Sequence, residues 1–188
     1  LRHTSGQGSF GAGSRNYLFG HGSDSGAANL NYGLWHYGGN LGWNCKAEGG
    51  STHDSHSFGS ATISTDTWYH FEISRSGNNL YAFQNGTQIG SAYELPVAFR
   101  TFENNSQPFK IMSDAQDWDT NFYGHIDEFR LVKGTAGHTA GFSVPTGEYT
   151  ATTSVGDLTL ISTSTTAEAT ATVADLVFYW KIIKDHTC

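Results

Sequence analysis

Apolar and polar residues alternate with a period of two in several short stretches of this chain, separated by runs of Gly, Asn, Ser and Pro. That period puts successive side chains on opposite faces of an extended strand. The clearest case is Trp68-Tyr69-His70-Phe71-Glu72-Ile73-Ser74, where Tyr69, Phe71 and Ile73 share one face and His70, Glu72 and Ser74 the other. It reads as a strand buried on one side only. Arg75-Ser76-Gly77-Asn78-Asn79 then turns the chain, and Leu80-Tyr81-Ala82-Phe83-Gln84 forms a second strand. Asn85-Gly86 supplies the positive φ angles of a tight hairpin into a third strand, Thr87-Gln88-Ile89.

The rest of the chain follows the same grammar. Tyr17-Leu18-Phe19 is a lone apolar patch in a Gly/Ser/Asn-rich opening of 30 residues, and predicts one strand. Leu34 and His36 mirror Leu41 and Trp43 across Gly38-Gly39-Asn40, which predicts a hairpin, with residues 47–60 as a polar loop. Residues 92–108 form a connection carrying Pro96 and Pro108, followed by a short strand at Phe109–Met112 and an acidic loop from Ser113 to Asn121. Phe122 to Val132 reads as a strand with a flaw: Ile126 and Phe129 are three apart, so both reach a core only through a bulge near Asp127-Glu128. Residues 134–146 are irregular. Beyond Thr150 the composition shifts to Thr, Ser and Ala, with strand-like runs at Asp157–Ile161 and Asp175–Trp180. The expectation is one antiparallel all-β domain over residues 1–150 and a small β-rich appendage or partial second module over 151–188.

Composition agrees with this. Charged residues are 14% and glycines number 23, with 12 Phe, 9 Tyr and 5 Trp, a balance that suits sheets and turns rather than helices. The net charge of −7, with ten Lys plus Arg spread thinly, leaves no basic footprint for a phosphate backbone, so nucleic acid is not expected as a partner. No apolar run has the length of a membrane span, so no membrane insertion is expected. Cys45 and Cys188 either pair or remain two separate thiols, and in neither case is this a disulfide-stapled fold.

Two separated segments carry a family resemblance. Asp66 to Tyr81 followed by Asn85-Gly86, and Phe122-Tyr123-Gly124-His125-Ile126-Asp127-Glu128-Phe129-Arg130-Leu131 followed by Phe142 to Pro145, resemble the concanavalin A-like, laminin G-like jelly-roll domains. The likeness spans about residues 17–149 and is nearest in flavour to phage and marine viral fibre or appendage proteins. It implies a two-sheet jelly-roll sandwich, an extracellular or virion-surface location, and either glycan binding for adhesion or protein–protein assembly of a virion or surface filament. Two opening strands usual in the family are missing here, which implies truncation or completion of the sheet by another chain. Glucanases of related fold use a strand of alternating carboxylates. The nearest stretch here is His125-Ile126-Asp127-Glu128, with His in the first acidic position and two adjacent acids on opposite faces, so a structural role is expected and no catalysis.

Three constellations remain as candidate sites. Asp114, Asp117 and Asp119, with Asn121, cluster hard oxygen ligands in one loop, which reads as a Ca²⁺ site or as a solvated acidic turn. Trp118 beside Asp117, Asp119 and Asn121 offers a ring for the C–H face of a sugar with polar groups to orient its hydroxyls, and Trp35, Tyr37 and Trp43 form a second such group, although Trp35 and Trp43 read better as core. His53-Asp54-Ser55-His56 has two imidazoles three apart, a zinc-like spacing without a third ligand nearby, and reads better as a solvated loop.

Overall fold

The computed structural model describes residues 1–3, 15–22, 30–103, 106–112, 124–147, 160–161 and 176–180. Its strands are β1 (Arg2–His3), β2 (Asn16–Gly22), β3 (Leu30–Tyr37), β4 (Asn40–Lys46), β5 (His53–Ser60), β6 (Phe71–Ser76), β7 (Asn79–Gln84), β8 (Thr87–Glu94), β9 (Phe109–Ile111), β10 (Gly124–His125), β11 (Phe129–Lys133), β12 (Leu160–Ile161) and β13 (Leu176–Trp180). They form a five-stranded sheet ordered β5-β4-β3-β2-β9, a six-stranded sheet ordered β12-β11-β13-β6-β7-β8, and a small β1-β10 ladder. Every described pairing is antiparallel. The two large sheets bury one core between them, with Phe19, Leu34, Leu41 and Trp43 from one meeting Phe71, Ile73, Leu80 and Phe129 from the other. This is the two-sheet jelly-roll sandwich that the family resemblance implies, built from the antiparallel strands that the alternation predicts.

Both hairpins form as read. Gly38 and Gly39 take φ of 56° and 76°, and Asn85 and Gly86 take 50° and 78°, the doubly positive turn that matches strand twist. Phe71 and Ile73 face the core as expected.

Four expectations need correction. Residues 53–60 are not loop but the edge strand β5, whose inward positions are filled by Asp54, His56 and Phe58. Polar inward residues hid its alternation. The run from Phe122 to Val132 is not continuous, because Glu128 takes a φ of 51° between β10 and β11 and lets half-buried Ile126 and buried Phe129 both reach the core. Glu72 and Ser74 are not on a solvated face: both are fully buried, beside His70, which packs there as its place in the family strand implies. Finally, β12 and β13 lie within the main sheet. Strand β13 pairs with β11 through Phe129↔Trp180 to Lys133↔Leu176 and with β6 through Val177↔Ser74 to Tyr179↔Glu72, so hydrogen bonding crosses the boundary read at residue 150.

Candidate functional site

The outer face of the five-stranded sheet carries the most developed polar constellation. Inward positions on β3 and β4 are Tyr32, Leu34, His36 and Leu41, Trp43, Cys45. The alternate residues, Gly33, Trp35, Tyr37 and Gly42, Asn44, Lys46, therefore face out. Two of these are glycines inside strands, which marks a close approach by another group. A Cβ on Gly33 would stand 2.9 Å from the Tyr17 ring, and one on Gly42 would stand 2.1 Å from the Trp35 ring. Both rings thus lie flat on the sheet where bare backbone lets them.

Asn44 ties the rings together. Its Oδ1 accepts from Trp35 Nε1 at 2.9 Å and from Arg15 Nη1 at 3.2 Å, while its Nδ2 donates to Tyr17 Oη at 2.9 Å. Arg15 Nη2 donates to Ser55 Oγ at 3.2 Å, and the guanidinium carbon sits 4.6 Å from the centre of the Trp35 ring. Tyr17, Trp35 and Asn44 are buried, whereas Arg15 and Ser55 are exposed. The stack is rigid beneath and wet on top.

This places the residues singled out in the sequence. Trp43 belongs to the core, between Phe19, Tyr32 and Phe102. Trp35 does not; it lies in a separate outer cluster with Tyr17 and Leu30. At 5% exposure under Arg15 it offers no open ring for a sugar, so its role is to hold the guanidinium. Tyr37, at 43%, is the open aromatic of this face. Trp118, Asp119, Asn121, Asp114 and Asp117 lie outside the described residues. His53 and His56 project to opposite faces of β5, and among the described residues no three His, Cys, Asp or Glu side chains converge on a metal-sized point. Cys45 is a free thiol buried in the core, and burial pushes it up to about 12.

A second constellation sits on the outer face of the six-stranded sheet. Glu72 is fully buried, and its carboxyl is met by the His138 backbone N–H at 3.0 Å and by His138 Nδ1 at 2.9 Å. Burial pushes Glu72 up to about 8, against the opposing pull of that backbone hydrogen bond, and burial also lowers His138. Burial thus favours the neutral acid, with the His138 ring nitrogen within hydrogen-bond reach of it. His138 stacks on Phe142, ring centres 3.6 Å apart, and Phe142 packs edge-on against Phe83 and His70. The backbone clamps there too: Phe142 N–H donates to Gly86 O at 2.9 Å. Residues 134–147 therefore form a strap over this face, and Glu72 is closed off from any substrate. Where Asp127 and Glu128 break the strand before β11, Asp127 Oδ1 accepts from the Glu128 backbone N–H at 3.0 Å, a structural use of that acidic pair.

The Arg15–Asn44–Ser55 arrangement and the Glu72–His138 clamp escape a reading by sequence, since their members lie far apart along the chain. The strand glycines opposite Tyr17 and Trp35 were the available signal for the first.

With the geometry in place, the comparisons give the family. The model of the concanavalin A-like lectin/glucanases superfamily matches residues 8–139, more than half of the chain. The chain belongs to this superfamily. No curated protein and no solved structure matches it.

Proposed function

We propose that this domain is a non-catalytic glycan-binding or adhesion module, working in the extracellular space or on a virion surface such as a fibre or appendage, with the outer face of the five-stranded sheet as its contact surface. The observation that carries the reading is the Trp35–Asn44–Tyr17 network, which spends three buried polar side chains on presenting Arg15 and Ser55 to solvent. A purely structural outer face gains more from apolar packing than from a buried polar network. Exposed Tyr37 adds an aromatic surface for a sugar ring. We extend the proposal to the segment before β10: Asp114, Asp117 and Asp119 would hold Ca²⁺ and Trp118 with Asn121 would extend the contact, a ligand set suited to a hard cation.

The test is a glycan-array screen of the full chain with and without Ca²⁺, together with melting curves. Binding to at least one polysaccharide is expected, with a rise in Tm on adding Ca²⁺ that Asp119→Ala abolishes. Binding without any calcium effect would remove the metal and keep the lectin. A second reading, protein–protein assembly, has its own support. The strand between β6 and β11 comes from residues 176–180, outside the family-matched segment, and the same slot would accept that strand from another copy. An obligate oligomer that binds no glycan would favour it.

A further inference from the structure

Resting on the glycan-binding reading, we infer that the ligand is an anionic glycan, whose carboxylate or sulfate groups are gripped by Arg15 and Lys46 on the outer face of the five-stranded sheet.

The argument begins with where charge is missing. Across β2, β3, β4, β5 and β9 the only Asp or Glu is Asp54. It points inward, across from Cys45, and accepts a hydrogen bond from Tyr93 Oη of β8. The outward positions of these strands carry Lys46, and Lys110 by its alternation with core-packed Phe109 and Ile111, with Arg15 standing at the foot of β2. A chain of net charge −7 thus turns no carboxylate outward among the described residues of these strands, and turns cations outward there. Such segregation sets a local positive potential that selects a negative partner.

The geometry of Arg15 narrows the partner further. The guanidinium is held flat by Trp35, Asn44 and Ser55, all neutral, and these bonds use two of its five N–H donors. Its position is fixed before a ligand arrives, and the remaining N–H groups form a planar fork that suits a carboxylate or sulfate. The Trp35 ring that would stack a neutral sugar is already occupied by this cation. Lys46 follows Asn44 by two residues on the same face of β4, about 7 Å along the strand. Among the described residues it has no ion-pair partner, and it stands opposite His53 on β5. Ser55 and Ser57, exposed on the outward side of β5, add hydroxyls beside these charges. Two or three separated cations interleaved with hydroxyls match a polymer bearing one charge every sugar or two. They are too few for a nucleic-acid backbone.

The experiment measures binding of the full chain to a polyuronate, a sulfated polysaccharide, neutral dextran and polyglutamate, at low salt and at high salt. Variants Arg15→Gln and Lys46→Gln are compared with Lys133→Gln, a lysine of the other sheet, and all must keep the parental Tm. The expected result is salt-sensitive binding to an anionic polysaccharide, weakened about tenfold by either site variant, the loss of one charge-assisted hydrogen bond, and unchanged by Lys133→Gln. Binding to neutral glycans that ignores both variants would overturn this inference and leave the lectin reading standing. Polyglutamate bound as tightly as the polysaccharides would overturn the glycan as partner. No binding to any of the polymers would bring down both readings.

Discussion

On the outer face of the six-stranded sheet, His70 and Glu72 are shut away from solvent beneath residues 134–147; on the outer face of the five-stranded sheet, Arg15 and Ser55 stand in water above a buried floor of Tyr17, Trp35 and Asn44. Both faces pair polar side chains with aromatic rings, yet one is a clamp and the other a presentation surface. The difference lies in what lies on top. Over β6 and β7 the chain returns as a strap with its own aromatic, Phe142, and its own backbone anchor on Gly86. Over β3 and β4 the sheet is roofed by two of its own rings, and the last group on the stack is a cation. Alternation along a strand tells which side a residue takes; it does not tell whether that side is wet.

The contrast can be broken most severely at the strap. Gly86 has a φ of +78°, and a Cβ there would stand 2.0 Å from Phe142 O, so Gly86→Ala forces strap and hairpin apart. A loss on the order of 2 kcal/mol is expected from the strain and the lost anchor, read as a lower urea midpoint. An unchanged midpoint would mean that the strap does not share the sheet's cooperative unit. A smaller effect is expected on the opposite face. Asn44→Ala strands the indole N–H of Trp35 in a buried site and removes the amide that donates to Tyr17 Oη, at a cost of about 1–3 kcal/mol, and frees Arg15 from its seat. If chemical denaturation shows no cost, the amide is not what organises that surface.

The subtlest test is one of pH dependence. Glu72 keeps its proton up to about pH 8 in the folded chain but gives it up near its ordinary 4.5 when unfolded. Between these values the folded state holds the extra proton, so the group's contribution to stability falls as pH rises. Glu72→Gln keeps an acceptor for the His138 N–H and removes that slope, so the variant should gain on the parent as pH climbs from 5 to 9. His70, pushed down to about 4 by burial, tilts the other way: from about 6.5 to 4 the unfolded chain takes up a proton that the folded one refuses, and acid destabilises. Should the parent instead gain on the Gln variant with rising pH, Glu72 is a charged partner of His138 and the buried-neutral account fails.

Much of the sandwich was legible because its signals are local. The Asn85-Gly86 and Gly38-Gly39 turns need only the residues at the turn, and the Phe71/Ile73 alternation needs only one strand. The bend between β10 and β11 was foreseen from the three-residue spacing of Ile126 and Phe129, although it takes the form of a break with a positive φ at Glu128 rather than of a bulge within one strand. Strand β5 was missed because an edge strand can face its own core with Asp54 and His56 when a partner from the other sheet receives them: Tyr93 bonds the first and stacks 3.7 Å from the second. Trp35 and Tyr37 were singled out for their aromatic surface, and only the fold shows that the former supports a cation while the latter meets solvent.

The sequence by itself determined the fold class, the hairpins, the core faces of the central strands and the superfamily, since each depends on short-range periodicity, turn chemistry or motifs contiguous in the chain. Tertiary structure alone decided that β13 lies between β6 and β11, that Glu72 is sealed under His138, and that Arg15 and Lys46 share a face on which the described strand residues put no carboxylate outward. These last facts join residues from 29 to 66 positions apart or more, as in Arg15 with Asn44 and Glu72 with His138. Nothing in a local pattern encodes such a meeting. Burial, charge sign and access at a site are properties of what the folded chain lays across it.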